Sequence, residues 1–145
     1  MEFTARMDQL AHSQYAKSLD MLRMILGLII LGKGIYFIQN TDALMAMMAN
    51  SQIAFVSFML AHYVAMCHLV GGVLIFMGLL TRVAVGVQLP ILAGAIIFVN
   101  AQQGFFSIHS ELAFSVLVFC MLLFYLFYGS GPLSVDEYLR KHRGV

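Results

Sequence analysis

Long apolar stretches alternate with short polar breaks along most of this chain. Each stretch has about 20 residues, which is the length that a helix needs to cross the hydrocarbon core of a bilayer. The apolar residues run continuously instead of alternating, so they favour helices over strands. We predict four membrane-spanning helices, at about residues 19–38, 57–80, 83–100 and 111–128.

The distribution of charge also indicates that lipid surrounds most of the chain. Between positions 43 and 135 the only formal charges are Arg82 and Glu111. Charged residues make up 10% of the 145 residues, against roughly 25% in soluble domains. The chain is therefore predicted to be a single all-α integral membrane domain, a four-helix bundle in contact with lipid. Its net charge of +1 indicates no affinity for nucleic acid.

Short interfacial helices are predicted at both termini. The amino-terminal segment places Phe3, Met7 and Leu10 at helical spacing. Near the other end, Ser134 and Glu137 have the spacing of a capping box, which predicts a helix over about 135–142.

Basic residues predict the orientation. Lysine and arginine occur in the two tails and in the loop with Arg82, whereas the loops near Asp42 and residues 100–111 have none. The positive-inside rule then places both termini in the cytoplasm.

Small residues predict which helix faces pack together, since they allow close approach of backbones in lipid. One stripe on the third span contains Gly86, Pro90 and Gly94. Arg23 has three candidate acidic partners, Asp20, Asp136 and Glu137. Structural or packing roles are expected for Arg23, Gly27, Gly34, Gly71, Gly72, Arg82, Pro90, Ser134 and Glu137.

His68 is the most informative single residue. Counting 12 residues back from Leu80 at 1.5 Å per residue places it roughly 18 Å inside the membrane. An ionisable group at that depth is a functional-site hypothesis, and a neutral histidine that only fixes helix packing is the alternative. No other span offers a histidine at matching depth for a haem, and His62 lies on another face of the same helix.

Other polar groups lie toward the predicted outer side. Lys33 has two interpretations, extension toward the interface or pairing with Glu111. The methionines suggest packing more than copper binding, so no metal site is expected. The full candidate polar site is His68, Glu111, Lys33, His62, Asn100 and His109.

Three motifs resemble the DoxX family of membrane proteins, over residues 22–139. They are Arg23–Gly34 in the first span, His68–Arg82 in the second, and the ending Gly129–Asp136. The resemblance implies a four-helix protein of the bacterial or archaeal cytoplasmic membrane. It also implies an association with quinol oxidases or thiosulfate:quinone oxidoreductases.

Two functional hypotheses follow. In the first, the chain is a small subunit of a quinone-linked redox complex, with His68 contacting a quinone or relaying its proton. No haem, flavin or iron–sulfur motif is recognisable, so electrons would come from an oxidoreductase partner. In the second, the chain is a non-catalytic bundle that scaffolds a partner, or a second copy of itself, or holds a lipid or small hydrophobic ligand. The sequence leaves open whether the chain is an enzyme.

Overall fold

The structure, a computed structural model, describes residues 2–49, 56–99 and 111–142. Within these ranges the regular elements are all helical, which confirms the predicted all-α class. The helices are α1 (Glu2–Gln39), α2 (Thr41–Ala49), α3 (Ser57–Met77), α4 (Thr81–Gly94), α5 (Glu111–Tyr128) and α6 (Val135–His142), with a π-helical segment at Ala95–Val99 after α4.

Three segments are long and apolar enough to cross a membrane. They are Gln14–Gln39, Phe58–Met77 and Thr81–Phe98. The apolar helix Leu112–Tyr128 is shorter. The whole of α5 has 18 residues, or about 27 Å at 1.5 Å per residue, which approaches the thickness of the hydrocarbon core. The chain is therefore a multi-pass membrane protein.

The amino-terminal part of α1 differs from the prediction. Residues 2–39 form one unbroken helix, so the segment before the first span is not a separate short helix. No glycine or proline occurs before Gly27, so the sequence has no residue there that would end a helix. Helix α2 was not predicted, and it packs on α3 through Met45 and Ala61.

Between α3 and α4 the chain turns tightly. Helix α3 ends at Met77 because Gly78 adopts the left-handed conformation, with φ +70°. Leu80, with φ 48°, is the only residue other than glycine with positive φ in the described ranges. The second span thus ends three residues before the predicted boundary, and the third starts two residues earlier, at Thr81.

Close contact between α1 and α3 dominates the bundle. A Cβ added to Gly27 would lie 2.5 Å from the backbone nitrogen of Phe76, and one added to Gly72 would lie 2.6 Å from that of Leu31. Helices α4 and α5 complete one core. Its buried residues are Leu26, Ile30, Ile75, Ala84, Val85, Val118, Leu122 and Tyr125.

Helix α4 packs with a different face from the predicted one. Gly86 and Gly94 have no atom within 4 Å of an added Cβ, and Pro90 is exposed. The helix instead buries Thr81, Ala84, Val85 and Gln88. Turning this face inward fills the core with Val85 and removes the Gln88 amide from lipid, where it would lack partners.

Candidate functional site

His68 lies halfway along α3 on the side that faces α1. Its side chain is only 9% exposed. The ring packs edge-on against Phe37, with 5.3 Å between ring centroids. Gly34 makes this close crossing possible, since an added Cβ there would lie 3.1 Å from the Cβ of His68.

The hydrogen bond of His68 determines what its other nitrogen can do. Nδ1 lies 2.8 Å from the carbonyl oxygen of Val64. Because a carbonyl oxygen only accepts, this contact assigns the proton of the neutral ring to Nδ1. Nε2 then carries a lone pair, and it makes no hydrogen bond to the described residues. It is available to accept a proton or a hydrogen bond.

Lys33 lies beside the same helix crossing, one residue before Gly34. Its Nζ is 5.9 Å from the ring centroid of Tyr36 and 6.0 Å from that of Phe114 on α5. The structure therefore places Lys33 near the rings of Tyr36 and Phe114, and His68 against the ring of Phe37.

The remaining candidates do not join this group in the described part of the chain. His62 is exposed, bonds through Nδ1 to the carbonyl of Phe58 at 3.0 Å, and packs on the Phe58 ring. The side chain of Glu111 lies outside the described residues, so its pairing with Lys33 stays a prediction. Asn100 and His109 also lie outside them.

A second polar cluster occupies the end of the bundle that holds Arg23, Arg82 and α6, which we call the basic end. Asp20 and Arg23 are each 1% exposed. They form an ion pair of 2.9 Å between Nη1 and Oδ1. Of the three partners that the sequence left open for Arg23, the structure selects Asp20.

The linker between α5 and α6 wraps around this ion pair. The backbone N–H of Leu133 donates to Oδ2 of Asp20 at 2.8 Å. Gly131 has φ +73°, and any Cβ at this position would collide with Asp20. A side chain is therefore excluded at Gly131 by both its conformation and its neighbour.

Tyr125 and Gly78 complete the cluster. The Tyr125 hydroxyl donates to the carbonyl of Leu19 at 2.6 Å. A Cβ on Gly78 would lie 2.9 Å from Nη1 of Arg23 and 2.6 Å from the Cβ of Ser134. These roles of Gly78 and Gly131 were not predicted from the sequence. The sequence feature that could have indicated this cluster is the pair Asp20 and Arg23, two ionisable residues three positions apart at the start of an apolar helix.

Ser134 and Glu137 make one half of the predicted capping box. The N–H of Glu137 donates to the Ser134 hydroxyl at 3.1 Å, and that hydroxyl donates to the carbonyl of Gly131 at 2.7 Å. The Glu137 carboxylate instead pairs with Arg140 at 2.6 Å. The nearby guanidinium offers it a charged donor in place of a backbone N–H.

Gln88 links α4 to α3. Its Nε2 donates to the carbonyl of Cys67 at 2.9 Å. Gly71 leaves room for this amide, since an added Cβ would lie 2.7 Å from Nε2. Farther along the chain, the π-helical segment at 95–99 follows Pro90 closely.

Comparison with known proteins gives one match. The model of the DoxX family matches residues 18–101, which is more than half of the chain. The matched region contains His68, Lys33 and Arg23. No curated protein and no solved structure matches the chain significantly.

Proposed function

The chain belongs to the DoxX family, and from this premise we propose that it is a membrane subunit of a quinone-linked redox complex. The family is often linked to redox and quinone-related complexes. In this proposal the head group of the quinone binds at His68 and Lys33.

The observation that carries the proposal is the state of the His68 ring. Every neutral imidazole has one unprotonated nitrogen, and in His68 the hydrogen bond to Val64 assigns it to Nε2. Here Nδ1 is occupied by Val64, and Nε2 has no hydrogen-bond partner in the described part of the chain. An acceptor of this kind fits a hydroxyl group of a quinol.

Lys33 and the aromatic rings supply the rest of the proposed site. The ammonium group of Lys33 is a donor suited to a quinone carbonyl. Phe37, Tyr36 and Phe114 offer ring edges and faces to a flat aromatic head group. A bound quinone would supply two-electron, two-proton chemistry, with electrons exchanged with an oxidoreductase partner.

Orientation and location belong to the same proposal. We place the basic end and both termini in the cytoplasm, because arginine and lysine collect there. The membrane is then the cytoplasmic membrane of a bacterium or archaeon, where quinones dissolve in the lipid phase.

Equilibrium binding tests this function. The purified full chain in detergent is titrated with a short-chain benzoquinone and its quinol. We expect His68→Ala to weaken quinol binding about tenfold, because one hydrogen bond to a buried group is lost. His68→Phe keeps a ring against Phe37 without a nitrogen, so it should bind as weakly while folding normally.

The matched control is His62→Ala, on the same helix but facing outward, which should bind like the wild type. Absence of saturable binding by the wild type, or binding by both His68 variants as tight as that of the wild type, would overturn the proposal. A chain that binds no quinone but retains a protein partner or lipid after purification would support the scaffold hypothesis instead.

A further inference from the structure

The basic end contains a cleft that the His68 site does not use. Its volume is 680 Å³. It is lined by the α3–α4 turn and the first turn of α4 (80–83), the end of α5 and the following linker (128–132), and Asp136, Glu137 and Arg140 of α6. The cleft lies at the boundary where three predicted spans meet the interface.

Two arginines and two carboxylates line the cleft, and of these Arg82 and Asp136 have no ion-pair partner among the described residues. The Glu137 carboxylate is paired with Arg140. Asp136 accepts a hydrogen bond from the N–H of Leu80 at 3.0 Å. Arg82 is exposed, and among the described residues its guanidinium makes one long hydrogen bond, 3.4 Å to the carbonyl of Phe127. Most of its donors are available to a ligand.

Thr81 provides an independent indication of a ligand. It lines the cleft and is 1% exposed, yet its hydroxyl oxygen has no hydrogen-bond partner in the described part of the protein. Buried hydroxyl groups are nearly always bonded, because an unmade hydrogen bond costs free energy. Thr81 is also the first residue of α4. The N-cap residue of this helix is Leu80, whose side chain makes no capping hydrogen bond.

We propose that this cleft binds the phosphate group of a membrane phospholipid. Its proposed contacts are Arg82, the Thr81 hydroxyl and the N–H groups of Thr81 and Arg82, since those of Val83 and Ala84 already donate to the carbonyl of Leu80. This combination of charge and helix N-terminus suits an anion. The surroundings favour a lipid over free phosphate. Leu80, Val83 and Phe127 are 56%, 60% and 79% exposed at its edge and offer an apolar path for acyl chains.

This inference does not rest on the proposed quinone function. The cleft is 12 residues along the chain from His68, or about 18 Å at helical rise. A failure of quinone binding would leave it intact, and the reverse also holds.

Native mass spectrometry of the full chain, released from mild detergent after incubation with defined lipids, tests the site. We expect wild type to retain phosphatidylglycerol over phosphatidylcholine, and Arg82→Gln to retain about fivefold less, the effect of one interfacial arginine. Thr81→Val, which removes only the hydroxyl, should also lower retention while leaving the unfolding temperature equal or higher. Arg82→Lys keeps the charge and should retain more lipid than Arg82→Gln.

The matched control is Lys141→Gln, which removes the same charge from the same end but outside the cleft, so it should lower retention much less than Arg82→Gln does. Equal losses in Lys141→Gln and Arg82→Gln would overturn the site, since they would indicate diffuse attraction. Full retention by Arg82→Gln or Thr81→Val would also overturn it. Inorganic phosphate offered alone tests the other source, and its retention in place of lipid would contradict a lipid site.

Discussion

At the scale of single residues, the buried ion pair of Asp20 and Arg23 needs compensating contacts from its surroundings. Removing two charges from water is costly unless both are paired and hydrogen-bonded. Here the ion pair is supplemented by the N–H of Leu133, and Gly131 and Gly78 make room for it. The pair therefore fixes where the linker after α5 returns to the bundle.

Asp20→Asn is expected to destabilise the protein strongly. The substitution keeps the shape of the side chain but leaves the Arg23 charge buried without a counter-ion. Breaking one partner of such a pair typically costs about 3–5 kcal/mol of unfolding free energy. Unfolding of the purified protein in detergent, followed by circular dichroism, measures the loss.

Glu137→Gln is the control for this prediction. It breaks an ion pair whose Arg140 partner is 79% exposed, so it should cost less than about 1 kcal/mol. Similar losses for Asp20→Asn and Glu137→Gln would show that the buried pair does not stabilise the fold.

Residue spacing predicted the positions of His68 and Arg23 along their helices but not their partners. The depth of His68 follows from the period of a helix and the thickness of a bilayer. Its contact with Phe37 depends on how α1 crosses α3, which a single sequence does not specify. Likewise, Asp20 pairs with Arg23 because it lies three residues away on the same helix, whereas Asp136 and Glu137 lie on α6.

At the scale of helices, glycines set how closely α1 and α3 approach. Gly27 and Gly34 on α1 and Gly72 on α3 each face backbone atoms of the opposite helix. In lipid, where apolar side chains gain little by leaving the solvent, this close backbone contact supplies much of the association energy.

Gly27→Ala should destabilise the bundle by about 1–3 kcal/mol, since the added methyl group meets backbone that has no room to move. Gly32 lies on the same helix and has no atom within 4 Å of an added Cβ. Gly32→Ala should therefore be neutral or stabilise by up to about 1 kcal/mol through helix propensity. Thermal unfolding of both variants in the same detergent measures the difference.

The opposite ranking, with Gly32→Ala less stable than Gly27→Ala, would mean that α1 packs with another face.

The positions of small residues predicted the packed faces of some helices but not of others. Small residues marked the packed faces of α1 and α3. On α4 the packed face predicted from small residues was wrong, because Gly86 and Pro90 face outward while Gln88 faces inward and bonds to the Cys67 carbonyl.

At the scale of the whole molecule, hydrophobicity predicted the helical membrane fold because lipid requires every backbone group to be bonded within the protein. It did not predict α2 or the continuity of α1, since both depend on local helix propensity instead of on apolar length. The boundaries near Gly78 shifted because the left-handed turn ends α3 before the last apolar residues.

With four crossings, as proposed, the two proposed sites lie at different depths, with His68 inside the bundle and Arg82 at its edge. This arrangement depends on α5, which is the shortest of the apolar helices proposed to span. If α5 did not cross, the termini would lie on opposite sides and α6 could not return to Arg23 from the same side as α1.

Side-specific cysteine labelling tests this central claim most directly. The background replaces Cys67 and Cys120 with alanine, and Lys17→Cys, Lys141→Cys and Gln103→Cys are introduced singly. A membrane-impermeant maleimide is applied to right-side-out and inside-out vesicles. The account predicts labelling at positions 17 and 141 only in inside-out vesicles, and at position 103 only in right-side-out vesicles. Labelling of positions 17 and 141 from opposite sides would contradict it.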